Sequence, residues 1–193
     1  MSAATEPRPG GAAARILAPT ASVLYALGAG VYHGLYDAGL RRSHRLPVPV
    51  ISVGNLVAGG TGKSPVVAAL AGACMARGRK PAVLTRGYGG TRQGRLTGST
   101  VPRAERAQFG DEPAELSARF PELPIWVGAD RMRRAREALV ADAPDLFLLD
   151  DGYQHRALRR DANLLLVDGA NPFGNERPLP WGALREPPRA ARR

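Results

Sequence analysis

A glycine-rich stretch that ends in a lysine and a serine offers the clearest chemistry in this sequence of 193 residues. It follows an apolar run at 48–53 and precedes a second apolar run that opens with Pro65. Glycines let backbone N–H groups turn toward an anion, Lys63 adds a positive charge for phosphate, and the Ser64 hydroxyl can bind Mg²⁺. The order strand, loop, helix therefore predicts a P-loop. The residues expected to hold the nucleotide phosphates are Gly59, Gly60, Thr61, Gly62, Lys63 and Ser64.

The loop is a variant of the strict pattern, because Val57 stands where that pattern has its first glycine. Ala58 also replaces the lysine that partition-type ATPases carry before their two glycines, so that subgroup is disfavoured. The competing interpretation is a glycine-rich turn that binds nothing. Lysine usage favours the nucleotide, since only Lys63 and Lys80 among 27 basic residues are lysine and one of them fills the phosphate-binding position.

Two adjacent aspartates, Asp150 and Asp151, close the apolar run 146–149. An aspartate at the end of such a strand is the Walker B arrangement, which places a carboxylate beside a Mg²⁺ held by the P-loop serine. An aspartate that merely caps the next turn would explain only one of the pair. A second acidic pair, Asp111 and Glu112, is weaker evidence because acidic residues are favoured at any helix start. His155 fits a general base or a structural hydrogen-bonding role.

The remaining pattern alternates strands with helices and predicts an α/β fold with a doubly wound, mainly parallel sheet of the P-loop NTPase type. Ligands are expected at the carboxyl ends of its strands. The continuous apolar runs at 146–149 and 164–167 predict strands that are buried on both faces. Asp130 is the expected N-cap of a helix, and the polar segment 86–110 is expected to be a functional loop or a flexible flap. The predicted strands are 48–53, 81–85, 125–127, 146–149 and 164–167, and the predicted helices are 65–78, 112–120 and 130–141.

The N-terminal part of the chain differs from this core in composition. Residues 1–14 are expected to form a disordered tail. Residues 15–45 carry apolar residues near helical spacing, three tyrosines and a run of arginines at the end, which predicts an amphipathic helix. The helix could pack on the domain or lie on a membrane. Tyrosines and terminal arginines favour the membrane interface slightly.

Charge and cysteine content restrict the partners and the compartment. The formal net charge of +10 suits an acidic partner such as a nucleotide, a nucleic acid or an anionic lipid. The basic residues are spread along the chain without a nucleic-acid-binding module, so no nucleic acid partner is expected. Cys74 is the single cysteine, which excludes a disulfide framework and indicates a reducing cytoplasm.

Taken together, these motifs resemble one family, the tetraacyldisaccharide 4′-kinases (lipid A 4′-kinases) of Gram-negative bacteria. The resemblance covers 16–193 and implies transfer of phosphate from MgATP to the 4′-hydroxyl of tetraacyldisaccharide 1-phosphate, giving lipid IVA. It also implies peripheral attachment to the cytoplasmic face of the bacterial inner membrane, and makes 46–193 a P-loop kinase domain. The matching stretches include 45–50, 53–55, 59–65, 86–89, 110–113, 127–128, 130–131, 150–155, 168–169, 173–175 and 184–187.

The resemblance also implies roles for individual residues. Lys63 and Ser64 correspond to the phosphate and Mg²⁺ groups, and Asp150 and Asp151 to the acidic pair at the metal, Asp151 also counting among the catalytic residues. Asp111 corresponds to the residue that helps to deprotonate the sugar hydroxyl. Members of the family continue beyond Arg193 into a second lobe, which this sequence lacks. The alternatives are a membrane-associated P-loop ATPase and a nucleotide-binding fragment without kinase activity. Further residues implied near the nucleotide are Tyr88, Glu112 and Arg185.

Overall fold

The computed structural model describes residues 11–59 and 62–193. This part of the chain forms two compact units. One contains 43–54 and 62–164, and is here called the sheet unit. The other contains the described residues 11–42, 55–59 and 165–193, and is called the helix unit. The predicted kinase domain over 46–193 includes residues of both units, and its boundaries stay a prediction. The final 29 residues contact the N-terminal helix and the loop after the first strand, through bonds such as that from Arg185 N–H to Leu56 O (2.7 Å).

Six strands form one sheet in the described part of the chain, in the order β3-β4-β2-β5-β1-β6. The pairings β4-β2, β2-β5 and β5-β1 are parallel, whereas β3 runs antiparallel to β4. The predicted doubly wound, mainly parallel fold is confirmed. The strands are β1 (Val50–Gly54), β2 (Pro81–Thr85), β3 (Gly94–Leu96), β4 (Ile125–Val127), β5 (Leu146–Asp150) and β6 (Ala162–Leu165).

Helices α2 (Lys63–Met75), α4 (Asp111–Arg119) and α5 (Arg131–Ala141) pack on this sheet. The alternation of side chains along a strand divides the packing between two faces. Val83 and Thr85 of β2 meet α2 and α4 on one face. The other face packs against α5 in a core that comprises Leu46, Val50, Ala82, Leu84, Trp126, Ala135, Ala138, Phe147, Leu149 and Leu158.

Most predicted core elements lie within three residues of the observed ones. The N-cap prediction is also confirmed, since the Asp130 carboxylate accepts a bond of 2.9 Å from Arg133 N–H. The prediction for 164–167 is wrong in register and in burial. Strand β6 starts two residues earlier, because Asp161 bonds to Val50 through its main chain (2.8 Å) and its carboxylate (2.9 Å). It lies at the edge of the sheet, where Leu164 remains 38% exposed.

The segment 86–110 is more ordered than the predicted loop or flap. It contains β3, the short helix α3 (Arg103–Arg106) and a 3₁₀ turn at Ala107–Phe109. Phe109 is buried, and the Arg106 guanidinium donates to Val101 O at 2.9 Å. These short elements could not be predicted from the sequence, because the segment is rich in Gly, Arg and Thr and has no hydrophobic periodicity. They depend on tertiary contacts.

In the helix unit, α1 (Gly11–Asp37) is continuous. The predicted bounds of 15–45 are therefore wrong at both ends, and 11–14 are helical where a tail was predicted; 1–10 lie outside the described residues. The helix ends before the arginine run because Gly39 has a φ of 71° and its N–H donates to Tyr36 O. Such a left-handed glycine terminates a helix.

The two sides of α1 have different surroundings. On one side, the Ser22 hydroxyl donates to Pro178 O (2.8 Å) and the Tyr25 hydroxyl donates to Arg185 O (3.2 Å). The side chains of the opposite side are 59–66% exposed, and we call them the apolar stripe. None of the helices in the described part of the chain has the length and hydropathy needed to cross a bilayer. The apolar stripe comprises Leu17, Val23, Leu24, Leu27 and Val31.

Candidate functional site

The candidate site lies at the carboxyl ends of two neighbouring strands. Strand β1 leads into the glycine loop, and its Val53 is in register with Asp150 at the end of β5. Because the two strands are parallel, the segments that follow them leave the sheet at the same edge. The start of the P-loop and the aspartate pair are therefore neighbours, as the Walker B prediction requires.

Two described glycines of the glycine loop have positive φ values. Gly59 and Gly62 have φ values of 127° and 73°, which glycine adopts without steric cost. Helix α2 begins immediately afterwards at Lys63, and its N-cap residue is Gly62, which has no side chain to form a cap. The backbone N–H groups and the dipole at a helix N-terminus together favour an anion. Gly60 and Thr61, which are also predicted to bind phosphate, lie outside the described residues.

Lys63 and Asp151 face each other at this edge. The Lys63 Nζ lies 3.8 Å from Asp151 Oδ1, and the two side chains are only 10% and 9% exposed. Asp151 has a φ of 46°, in the left-handed region that few residues other than glycine adopt. This turn of the main chain directs the second aspartate toward the P-loop lysine, whereas the first remains in the sheet.

Asp150 is 6% exposed and points to the face of the sheet that carries α2 and α4. Its Oδ2 accepts a hydrogen bond of 3.0 Å from the Thr85 hydroxyl, and its Oδ1 has no hydrogen-bond partner among the described residues. Burial, together with the nearby carboxylate of Glu112, raises the pKa of Asp150 to about 6. Ser64, Glu112 and Asp150 all line the same small cavity. The predicted metal residues Ser64 and Asp150 are thus brought together.

This donor set fits Mg²⁺. A buried carboxylate oxygen without a partner and a serine hydroxyl are hard oxygen ligands, which Mg²⁺ prefers. The described residues contain no group of three or more His, Cys, Asp and Glu side chains arranged as a metal site. Mg²⁺ in nucleotide enzymes needs fewer protein ligands than that, because phosphates and water complete its shell. The fit therefore depends on the presence of phosphate.

Asp111 and Tyr88 are placed by two loops that pack backbone against backbone. A side chain at Gly87 would lie 2.3 Å from Val127 Cγ1, and one at Gly110 would lie 2.7 Å from Tyr88 O. Both glycines also have positive φ values. Tyr88 is 58% exposed, and Asp111 is exposed at the start of α4. Both polar side chains are therefore accessible in the sheet unit, which also contains Glu112 in the first turn of α4.

Arg185 belongs to the helix unit. Its N–H donates to Leu56 O (2.7 Å), and its carbonyl accepts from the Tyr25 hydroxyl (3.2 Å). The adjacent Glu186 is 4% exposed and lies 3.1 Å from His33 Nε2 of α1. The Arg-Glu-Pro motif is thus a fixed part of the helix unit, and the predicted role of Arg185 near the nucleotide stays a prediction.

Two residues that support the aspartates were missed from the sequence. Thr85 bonds to the Asp150 carboxylate, and Arg131 Nη2 donates to the carbonyls of Asp150 (3.0 Å) and Asp151 (3.3 Å). Burial lowers the pKa of Arg131, which is 6% exposed. A cation in the first turn of a helix opposes the dipole and could have signalled a buried partner. Thr85 could have been found because it closes a strand parallel to the one that ends in Asp150.

His155 follows the aspartate pair in the same loop. Burial, together with the neighbouring Arg131, lowers its pKa to about 4. Its Nε2 is buried, with no hydrogen-bond partner in the part of the chain that the structure describes. The imidazole is therefore neutral at pH 7, and its choice between a catalytic and a structural role stays untested.

The parallel sheet, the glycine loop and the strand-end aspartates define an α/β protein of the P-loop NTPase type. Residues 13–193 match the family model described as tetraacyldisaccharide-1-P 4′-kinase. The chain belongs to this family, which confirms the resemblance drawn from the motifs.

Individual relatives agree with this assignment. A tetraacyldisaccharide 4′-kinase of Pelobacter propionicus is 52% identical over 89% of this chain and 48% of its own length. One of Geobacter sulfurreducens is 47% identical over 95% of this chain and 54% of its own. The crystal structure of LpxK from Aquifex aeolicus in complex with ATP superposes with a TM-score of 0.78 at 37% identity, over 89% of this chain and 54% of that one. The chain thus spans about half the length of the relatives it matches.

The lowered pKa of His155 predicts how stability depends on pH. An unfolded histidine binds a proton near pH 6.5, whereas the folded one does so only near pH 4. The unfolded state therefore gains protons first, and stability is lost as the pH falls from above 6.5 toward 4. We expect the loss attributable to His155 to be about 2 kcal/mol between pH 7 and pH 5.

Urea unfolding at these two pH values tests this expectation. The stability of the parent should fall by roughly 2 kcal/mol more than that of His155→Gln. The exposed His44 provides the control, and His44→Gln should keep the pH dependence of the parent. Equal slopes for the parent and His155→Gln would show that the ring is not desolvated in the folded state.

Proposed function

We propose that this chain is the nucleotide-binding part of an ATP-dependent kinase that phosphorylates the 4′-hydroxyl of tetraacyldisaccharide 1-phosphate to give lipid IVA. The observation that carries the proposal is the placement of Lys63 beside Asp151 and of Ser64 beside Asp150, at the ends of two adjacent parallel strands. The names of the relatives and the ATP in the Aquifex aeolicus crystal support the assignment.

ATP would bind with its phosphates at the N-terminus of α2. The glycine loop would present N–H groups there, and Lys63, the first residue of α2, would add a compact positive charge. Asp151 lies 3.8 Å from that ammonium and would hold it in place for the β- and γ-phosphates. Phosphoryl transfer requires mainly alignment and charge neutralisation, which are the two properties that these groups supply.

Mg²⁺ would be held by the Ser64 hydroxyl and the Asp150 carboxylate, with Asp151 as the second acidic group. Bound Mg²⁺ neutralises charge on the β- and γ-phosphate oxygens. Asp150 has a raised pKa of about 6, so a small fraction of it is protonated at pH 7 when no cation is present. Because Mg²⁺ binds the ionised carboxylate, this protonated fraction would release its proton when the cation binds.

The acceptor hydroxyl would be deprotonated with the help of Asp111. Asp111 is exposed, stands at the start of α4 and belongs to the same helix as Glu112. Tyr88 would border the nucleotide on this side, and the role of Arg185 near the nucleotide is proposed from the family resemblance alone. The relatives contain about as much chain again, which would supply the lobe that encloses the reacting groups and excludes water.

Phosphate transfer tests this proposal. The chain would be fused to the remaining C-terminal half of the Pelobacter propionicus relative and supplied with γ-labelled ATP and the disaccharide lipid. We expect label in the lipid. Asp111→Asn should lower this transfer by about 100-fold or more, with MgATP affinity within twofold of the parent, because its role is toward the acceptor.

The matched control is Glu115→Gln, which removes an exposed carboxylate one turn further along α4 and should leave transfer unchanged. Full transfer by Asp111→Asn would remove the aspartate from the mechanism. ATP hydrolysis by the parent fusion without any label in the lipid would instead indicate a membrane-associated ATPase. Nucleotide binding with neither reaction would indicate a binding module.

We further propose that α1 attaches the protein peripherally to the cytoplasmic face of the bacterial inner membrane. The apolar stripe leaves five aliphatic side chains 59–66% exposed on one side of the helix. Arg41 lies 5.5 Å from the Tyr32 ring and 5.9 Å from the Tyr36 ring at the end of the same helix. Aliphatic side chains on one face with tyrosine and arginine at the boundary are typical of a helix that lies in the membrane interface.

Vesicle sedimentation tests the attachment. Replacing Leu17, Leu24 and Leu27 together by glutamine should reduce binding to anionic vesicles by at least about tenfold, because each buried leucine contributes about 1.5–3 kcal/mol. Substitution is preferable to deletion because the other side of α1 bonds to 178–185. Val140→Gln removes a side chain that is 89% exposed elsewhere and should change nothing. Unchanged binding by the triple variant would refute the attachment.

A further inference from the structure

Thr85 is the last residue of β2, and its side chain is almost completely buried. It is 4% exposed, and its hydroxyl donates a hydrogen bond of 3.0 Å to Asp150 Oδ2. Strands β2 and β5 are parallel neighbours, with Leu84 in register with Leu149. Thr85 and Asp150 are therefore the next residues on two adjacent strands, and both point to the face that carries α2 and α4.

The bond makes the two oxygens of the Asp150 carboxylate different. Oδ2 is hydrogen-bonded to Thr85, whereas Oδ1 is buried with no hydrogen-bond partner in residues 11–59 and 62–193. A buried carboxylate oxygen without a partner has a substantial free-energy cost, so such atoms are rare outside functional sites. Because the cavity beside Asp150 is also lined by Ser64, a cation there would find two oxygen ligands. The hydroxyl of Thr85 thus fixes the carboxylate orientation that leaves Oδ1 available.

The main chain of Asp150 is fixed independently. Arg131 Nη2 donates to its carbonyl oxygen at 3.0 Å and to that of Asp151 at 3.3 Å. The backbone position of Asp150 is therefore set by α5, on one side of the turn. The orientation of its carboxylate is set by β2, on the other side. Loss of the threonine hydroxyl should leave the turn in place and release only the rotation of the carboxylate about its side-chain bonds.

We propose that Thr85 is a positioning residue for the metal site, which orients the Asp150 carboxylate so that Oδ1 is presented to the Mg²⁺ of MgATP. The inference rests on the proposed nucleotide-binding function and adds the residue that determines its metal affinity. Residues that orient a ligand carboxylate typically change metal affinity by 10–100-fold when they are removed.

The test measures ATP affinity with and without Mg²⁺ by calorimetry, for the chain and for variants at Thr85. Thr85→Val keeps the shape and removes the hydroxyl. Mg²⁺ should increase the ATP affinity of the parent by a measurable factor, and Thr85→Val should reduce this factor about tenfold or more. The affinity of Thr85→Val for metal-free ATP should stay within about twofold of the parent. Thr85→Ser retains a hydroxyl and should restore the effect of Mg²⁺. Thr85→Ala should behave as Thr85→Val does, and replaces it in the test if Thr85→Val does not fold.

The matched control is Thr97→Val, because Thr97 is 2% exposed and its hydroxyl is hydrogen-bonded to that of Thr100, not to Asp150. It should keep the full effect of Mg²⁺. If Thr85→Val weakens ATP binding equally with and without Mg²⁺, or does not change it, the positioning role is overturned while the P-loop function stands. If Mg²⁺ does not strengthen ATP binding to the parent, the proposed metal site itself is overturned.

Discussion

The parallel hydrogen-bonded ladder between β1 and β5 is the constraint on which the rest of the site depends. It pairs Val53 with Asp150, and so brings the start of the glycine loop and the aspartate pair to one edge of the sheet. The helix dipole of α2, the Lys63 ammonium and two carboxylates then lie within a few residues of the strand ends. A shift of one residue in this register would turn Asp150 to the opposite face, toward α5 and away from Ser64.

The turns around this ladder are held by close backbone packing. A side chain at Gly54 would lie 2.7 Å from Tyr153 Cβ, and one at Gly152 would lie 2.6 Å from Ser52 Oγ. Glycine is needed at both positions because no side-chain atom fits between the end of β1 and the loop after β5. The same packing fixes the left-handed turn at Asp151 from which that carboxylate reaches Lys63. Rigid turns of this kind place charged groups without reorganisation when phosphate binds.

Sequence patterns predicted those parts of the fold that depend on local regularity. Four strands, the helices α2, α4 and α5 and the Asp130 cap follow from apolar runs and capping residues, which are local signals. Strand β3 was missed because three residues in a polar segment have no period, and it exists only through pairing with β4. The end of α1 was missed because Gly39 was not interpreted as a terminating residue. The charged residues of the site could be predicted from their types and positions in the sequence. The supporting roles of Thr85 and Arg131 could not, because they depend on which elements are neighbours in the fold.

Binding of the ATP phosphates by Lys63, at the N-terminus of α2, is the interaction on which the proposed function depends. Calorimetric titration of MgATP into the chain and into two lysine variants tests it most directly, since Lys80 is the only other lysine and its N–H bonds to Asp145 at the opposite end of β2. Lys63→Ala should weaken MgATP binding by about tenfold or more, and Lys80→Ala should leave it within twofold of the parent. Equal affinity of Lys63→Ala and the parent would contradict the account.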